Sequence, residues 1–390
     1  MYQIVPFYAI GNTIVLLTAR AHISVYVSRD QADWKRSLLS CVLAGCCAGG
    51  LIYAAGTVII RAYPAQPAAI SNSLLMLGSY WFLWIPFSAR AFVVSLLIAR
   101  KRTAWIVPVS VGVFLFHALS TALYLRISKA PFPAGSILLN AVAHFIAATC
   151  LVCFLVRSRV VAHETNWNIS FFFESLRQSV SAWAEPVAYE IAQMIVIGLL
   201  LSLGANFVAG RALVTQWLRA VIAWEFASSV GVQFQAASDP SQLRKEIIQR
   251  ICIGLFGTLL LLTFICLITF KFGVWNGYSA TIVSAVEKTL VWSFALESFR
   301  TLNIMFGHFL RGVGLPARVG GITVLCSFCV GVPLILLCVG FFRLGYDGVL
   351  LGLTAEEAIK STTLGVITRR MIAAPKPLAL IRSEALRVGE

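Results

Sequence analysis

Apolar runs of about 20 residues recur along nearly the whole chain, and a run of that length crosses the hydrocarbon core of a bilayer as one helix. Read against the polar and Pro/Gly breaks, they fall near residues 4–27, 38–61, 72–98, 104–125, 134–157, 180–203, 207–233, 250–270, 282–309, 317–340 and 345–368. The fold class expected is an all-α polytopic membrane protein of about eleven transmembrane helices. Only 12% of the 390 residues are charged and 59% are hydrophobic, where a soluble domain carries roughly a quarter charged. No sizeable soluble domain fits in what remains.

The net charge of +15 is explained by topology rather than by a nucleic-acid partner, because basic residues mark the cytoplasmic loops of a helical bundle. Arg29, Lys35, Arg36; Arg100, Lys101, Arg102; Arg157, Arg159, Arg177; Arg244, Lys245, Arg250; Arg311, Arg318; and Arg369, Arg370, Lys376, Arg382, Arg387 fall on one side. Arg61, Arg126, Lys129, Arg211, Lys271 and Arg343 fall on the other and are fewer. The expected arrangement is a multi-pass protein of the cell membrane with its C-terminus in the cytoplasm. Residues 1–6, MYQIVP, carry neither a basic leader nor a small-residue cleavage pattern, so the first apolar run is read as a retained span. The ten cysteines lie in or beside apolar runs and give no disulfide framework.

Sliding the chain over itself by about 210 residues brings four landmarks into one register, the mark of an internal repeat. Ser28–Arg36 answers Ser238–Lys245, each an acidic-then-basic loop. Arg90 answers Arg300, Arg100–Arg102 answers Arg311–Gly314, and Arg157–Arg159 answers Arg369–Arg370. The expected organisation is an N-terminal bundle of five spans (1–160), a cytoplasmic linker (161–179), a C-terminal bundle of six (180–370) and a basic tail (371–390). The span at 180–203 has no mate in the first half.

At residues 180–370 the sequence resembles the multidrug and toxic compound extrusion (MATE) transporters. The likeness lies in Leu203-Gly204 with Val208-Ala209-Gly210, Val230-Gly231-Val232-Gln233 with Ser238-Asp239-Pro240, Phe309–Pro316, Gly331-Val332-Pro333 and Gly345–Gly352, in their order and spacing. The resemblance implies two pseudo-symmetric helical bundles around a central cavity that opens alternately to the two faces. It implies export of small amphipathic compounds in exchange for Na+ or H+, with no enzymatic activity, no other cofactor and no metal. The N-lobe is one helix short of the family pattern, and the acidic residue the family carries on that first helix has no counterpart here.

A charged group in hydrocarbon costs at least about 3 kcal/mol, so intramembrane ionisable residues are functional candidates. Glu185, Glu190, Glu225 and Glu297 are the cation-coupling candidates. Glu190, fourteen residues before Gly204, falls beside the place of a cation-site acid on the family's seventh helix and ranks first. Glu185 precedes Pro186, which removes a backbone donor and frees carbonyls. Glu225 has no cation at helical spacing, and its alternative is a salt bridge to another helix. Glu297 and Arg300 share a helix face and their alternative is simple self-pairing.

Arg90, Arg300, Trp84, Gln193 and Asn303 are the substrate-cavity candidates. Arginines facing the cavity favour an anionic amphipath over a cationic one. Arg20, near a cytoplasmic end, is read as snorkelling or paired, and for Arg219 the cavity-facing and the paired readings both stand. Tyr80, Trp81, Trp217, Trp224 and Trp292 serve either a cavity wall or the membrane interface. The two CxxC strings at 150–153 and 326–329 are read as packing, not zinc. No phosphate-cradling loop is present, so the chain carries no ATPase. The expected partners are a small-molecule substrate and the bilayer, and the expected state is a monomer. Two alternatives stand beside export: a flippase for an anionic lipid-linked oligosaccharide, and a non-transporting component or acyltransferase using His117 or His144.

Overall fold

Inside a bilayer every backbone donor and acceptor must be satisfied within the segment, which leaves the helix as the form each apolar run takes. The structure is a computed structural model that describes residues 5–28, 34–62, 67–100, 102, 104–128, 133–157, 169–238, 243–271 and 277–373. Among them no strand occurs, and each expected span is a helical rod: α1 (Val5–Ser28), α2 (Trp34–Ala62), α3 (Pro67–Ala99), α4 (Ile106–Ile127), α5 (Pro133–Arg157), α6 (Ile169–Leu203), α7 (Ala205–Ser238), α8 (Leu243–Lys271) and α9 (Ala280–Gly312). The tenth rod, Pro316–Phe341, joins α10 (Pro316–Leu325) and α11 (Val332–Leu336) with wide π-helical turns at Cys326–Gly331 and Leu337–Phe341; α12 (Gly345–Ala373) closes the series. Six of these rods contain stretches long and apolar enough to cross a membrane.

Two compact units result, Met1–Pro186 and Val187–Glu390. In the first, α3 is the central helix: it packs against α1, α2 and α5, and α4 leans on α5. Small residues allow these approaches. The Trp84 indole fills the space that a Cβ at Gly11 would need and lies 2.8 Å from the Cβ position of Gly49. Trp84 is fully buried there and its Nε1 donates to Asn12 Oδ1 at 3.0 Å.

In the second unit α9 is central, against α7, α8, α10 and α12. Lipid supplies no hydrophobic drive between helices, so contact rests on close fit at small residues. Gly210 of α7 faces Ala285 of α9, whose Cβ stands 2.7 Å from where a Cβ on the glycine would be. Gly312 of α9 lies against the Gln233 carbonyl and 2.8 Å from Ala236 on the same terms.

The neighbour pattern of α1-α2-α3-α4-α5 is thus repeated by α7-α8-α9-(α10, α11)-α12. The offset is about 210 residues, as an internal repeat requires. α6 is the rod left over.

The turns follow from local chemistry. Gly204 (φ 139°) is a one-residue joint between α6 and α7, in the left-handed half of conformational space that glycine alone enters freely. Gly314 (φ 92°) ends α9 and Pro316 opens α10.

Three assignments shift. The stretch expected as a linker over 161–179 is helical from Ile169 on, while 161–168 lies outside the described residues. Arg211 and Arg311 are not in loops but inside α7 and α9, because Gly204 takes up the whole turn before α7 and α9 outlasts its apolar run. The tail from 374 on lies outside the described residues.

Candidate functional site

The polar interior of the second unit is built on α9. One face of this helix carries Glu297, Arg300 and Thr301, at the i, i+3, i+4 spacing that aligns side chains, and Asn303 follows Arg300 by three residues on the side toward α12. Arg300 Nη1 donates to both oxygens of Glu297 at 2.8 Å, and Nη2 donates to Tyr189 Oη on α6 at 3.3 Å. Glu297 is therefore a buried, self-paired carboxylate, the plainer of its two readings. Asn303 Nδ2 donates to Glu357 Oε2 on α12 at 3.0 Å, so it supports an acid.

Three members of this network escaped the sequence reading. Glu356, Glu357 and Lys360 are buried on α12, with the Lys360 ammonium 3.2 Å from each carboxylate. Glu356 also accepts from Ser327 Oγ at 2.5 Å, in the first π-helical turn. The signal was present: two adjacent acids with a lysine one turn later, inside an apolar run.

Glu225 of α7 is fully buried and differs from the other acids. Its Oε1 lies 3.0 Å from Thr301 Oγ1, its Oε2 has no hydrogen-bond partner, and no ion pair reaches it among the described residues. Thr301 Oγ1 in turn sits 2.8 Å from the Glu297 carbonyl oxygen and 3.0 Å from Thr258 Oγ1 of α8.

A single hydroxyl hydrogen cannot serve both the carbonyl and the carboxylate. A protonated Glu225 would relieve the conflict: the acid could then donate to Thr301, leaving the Thr301 hydrogen for the Glu297 carbonyl. Oε2 is then a neutral carbonyl oxygen, and leaving it unbonded is far less costly than burying an unpaired charge.

Other candidates stand apart. Glu190 is half-buried, with no hydrogen bond or ion pair among the described residues, and Glu185 is half-buried in the first unit. Gln193 Oε1 accepts from Arg211 Nη2 at 2.5 Å. Trp84, expected at a cavity wall, is instead enclosed among α1, α2 and α3, because Gly11 and Gly49 make room for its ring.

Arg90 donates to His144 Nδ1 at 3.0 Å and to Ser110 Oγ at 2.9 Å. Arg90–His144 and Asn303–Glu357 both span 54 residues and join corresponding helices, α3 to α5 and α9 to α12. The two units thus carry a polar crossing at the same place in the repeat, basic in one and acidic in the other. The remaining histidine candidate, His117, has its Nδ1 3.5 Å from Thr121 Oγ1. The cysteines of both CxxC strings are free, and no metal-ligating group of His, Cys, Asp or Glu occurs among the described residues.

No protein-family model and no curated protein matches the sequence. Solved structures do match. The eukaryotic MATE transporter AtDTX14 superposes with a TM-score of 0.80 at 13% identity, over 98% of this chain and 89% of that one. The Vibrio cholerae MATE transporter VcmN gives 0.71 at 16%, over 96% and 88%. A MOP superfamily transporter from Pyrococcus furiosus, described as having a binding pocket of reverse polarity, gives 0.73 at 10%, over 95% and 88%. Apolar rods, an internal repeat and these superpositions converge: the chain is a multi-pass membrane protein with the fold of the MATE transporters of the MOP superfamily.

Proposed function

We propose that this protein is a secondary-active exporter of small amphipathic compounds, driven by protons that bind at Glu225. It acts as a monomer in the cell membrane with its C-terminus in the cytoplasm, and it is a transporter rather than an enzyme. The observation that carries the reading is Glu225 itself, a carboxyl in the interior of the second unit with one oxygen orphaned and no ion pair among the described residues.

A structural acid in such a place is held by a partner, as Glu297 is by Arg300 and Glu357 by Lys360. Glu225 has only the hydroxyl of Thr301, a group suited to accepting a proton from it. To leave the interior as a proton carrier it must meet water in one state of the transporter and lose it in another. The two states then bind H+ with different affinity, which is the condition for coupling. The hydroxyl count at Thr301 favours a proton over Na+. Glu190, half-buried and unpaired among the described residues, is the second carboxylate on this route.

Right-side-out membrane vesicles loaded with a fluorescent amphipath test the proposal. Wild-type protein is expected to expel the dye when a proton gradient is imposed and to stop when an uncoupler collapses it, with Na+ replaceable by K+. Glu225→Gln is expected to reduce gradient-driven transport to background at normal expression, and Glu190→Gln to reduce it less. Undiminished efflux in Glu225→Gln would remove the assigned site, and efflux that follows Na+ would replace the proton.

A further inference from the structure

Among the described residues of the second unit, Arg211 is a guanidinium inside a helix with no ion pair to a carboxylate. Arg211, near the start of α7, donates Nη2 to the neutral Gln193 at 2.5 Å, and its buried Nη1 has no partner. Orphaned donors on a buried cation are rare, since a group left unanswered carries its whole desolvation cost. Tyr189, Tyr346, Arg300 and Glu297 bear on Arg211 electrostatically. Glu297 is the one acid among them, and both its oxygens are already bound to Arg300. Tyr189 Oη accepts from Arg300 and so keeps its own hydrogen to donate.

From these side chains we infer an oxyanion site in the second unit, in which Arg211 Nη1 and the Tyr189 hydroxyl hold a carboxylate or phosphate group. Gln193 positions Arg211, occupying one edge of the guanidinium and leaving the other to the ligand. A planar guanidinium with a free N–H edge matches an oxyanion better than any neutral acceptor does. The inference rests on the export reading only in taking the anion to be part of the cargo; binding itself needs no transport. The oxyanion has two sources, a soluble compound or a lipid headgroup.

Thermal unfolding of the purified full-length protein separates them and tests the site. In detergent, inorganic phosphate at constant ionic strength against chloride is expected to raise the midpoint of wild type. In nanodiscs, phosphatidic acid in phosphatidylcholine is expected to do so instead if the site is reserved for a headgroup. Either shift should vanish in Arg211→Gln, persist in part in Arg211→Lys and weaken in Gln193→Ala. The midpoint of Arg211→Gln without added anion should not fall, because an unanswered donor has been removed.

Equal shifts in wild type and Arg211→Gln, or no shift from either source, would overturn the site. So would a large fall in the anion-free midpoint of Arg211→Gln, which would make the arginine structural. None of these outcomes bears on Glu225, whose efflux assay decides the export reading separately.

Discussion

Lys360→Met is expected to be among the most destabilising single charge removals in the chain. The ammonium is 1% exposed and stands 3.2 Å from a carboxylate oxygen of both Glu356 and Glu357. Forming this group from hydrated ions gains little, because desolvation offsets the attraction; breaking it is another matter, because two negative charges then remain in an apolar interior. Removing one partner of a buried pair costs about 3–5 kcal/mol, and here one cation answers two acids.

The measurement is the unfolding midpoint of purified protein in detergent. Lys360→Met should lower it strongly, and Glu356→Gln/Glu357→Gln/Lys360→Met should recover most of the loss, since neutral amides keep their bonds to Ser327 and Asn303. A midpoint unchanged in Lys360→Met would mean that the acids are already neutral and the lysine is not their counterion.

Gly312→Leu should fail at a different level, in the fit of α7 to α9. Even the first carbon of a side chain at this position runs into the Gln233 carbonyl and comes within 2.8 Å of the Ala236 Cβ. A flexible side chain could move aside; a backbone carbonyl in a helix cannot without parting the two helices. Overpacking by a methylene or two costs about 1–3 kcal/mol where the surroundings can yield, so this substitution is expected to exceed that range and to abolish folded protein in the membrane. Gly312→Ala should fold with a lowered midpoint. Gly321→Ala on α10 is the control: nothing lies within 4 Å of its Cβ position, and relieving a helical glycine should leave stability equal or higher by about 0.5–1 kcal/mol. If Gly312→Ala and Gly321→Ala behave alike, the α7–α9 contact is looser than described.

The architecture was legible because lipid imposes one length and one backbone form, so hydropathy alone locates the rods. Where a helix outlasts its apolar run the reading fell short, as at Ile169, whose turn-by-turn polar residues hide the start of α6. Gly204 misled in another way: a single residue suffices to reverse the chain there, so Arg211 already lies inside α7 although charge placement alone assigns it to a loop. Pairs within one helix were readable from spacing, and Glu297 with Arg300 is the example. Pairs between helices were not. Asn303 was singled out as polar, but its partner Glu357 is 54 residues away on α12, and nothing local joins the two. Trp84 looked available as a ligand platform because the glycines that admit its ring to the interior sit on other helices.

The two π-helical turns of the rod from Pro316 to Phe341 have a consequence for how the chain tolerates changes of length. Such a turn carries one more residue than the ordinary ladder needs. Deleting one residue within Cys326–Gly331 should let the wide turn relax to the common form, with everything beyond it still aimed as before. The same deletion early in α9 would swing all later side chains through about 100° and turn Arg300 and Asn303 away from their partners on α6 and α12. The tenth rod thus holds slack that the central helix lacks, and that slack includes Ser327, the residue that grips Glu356.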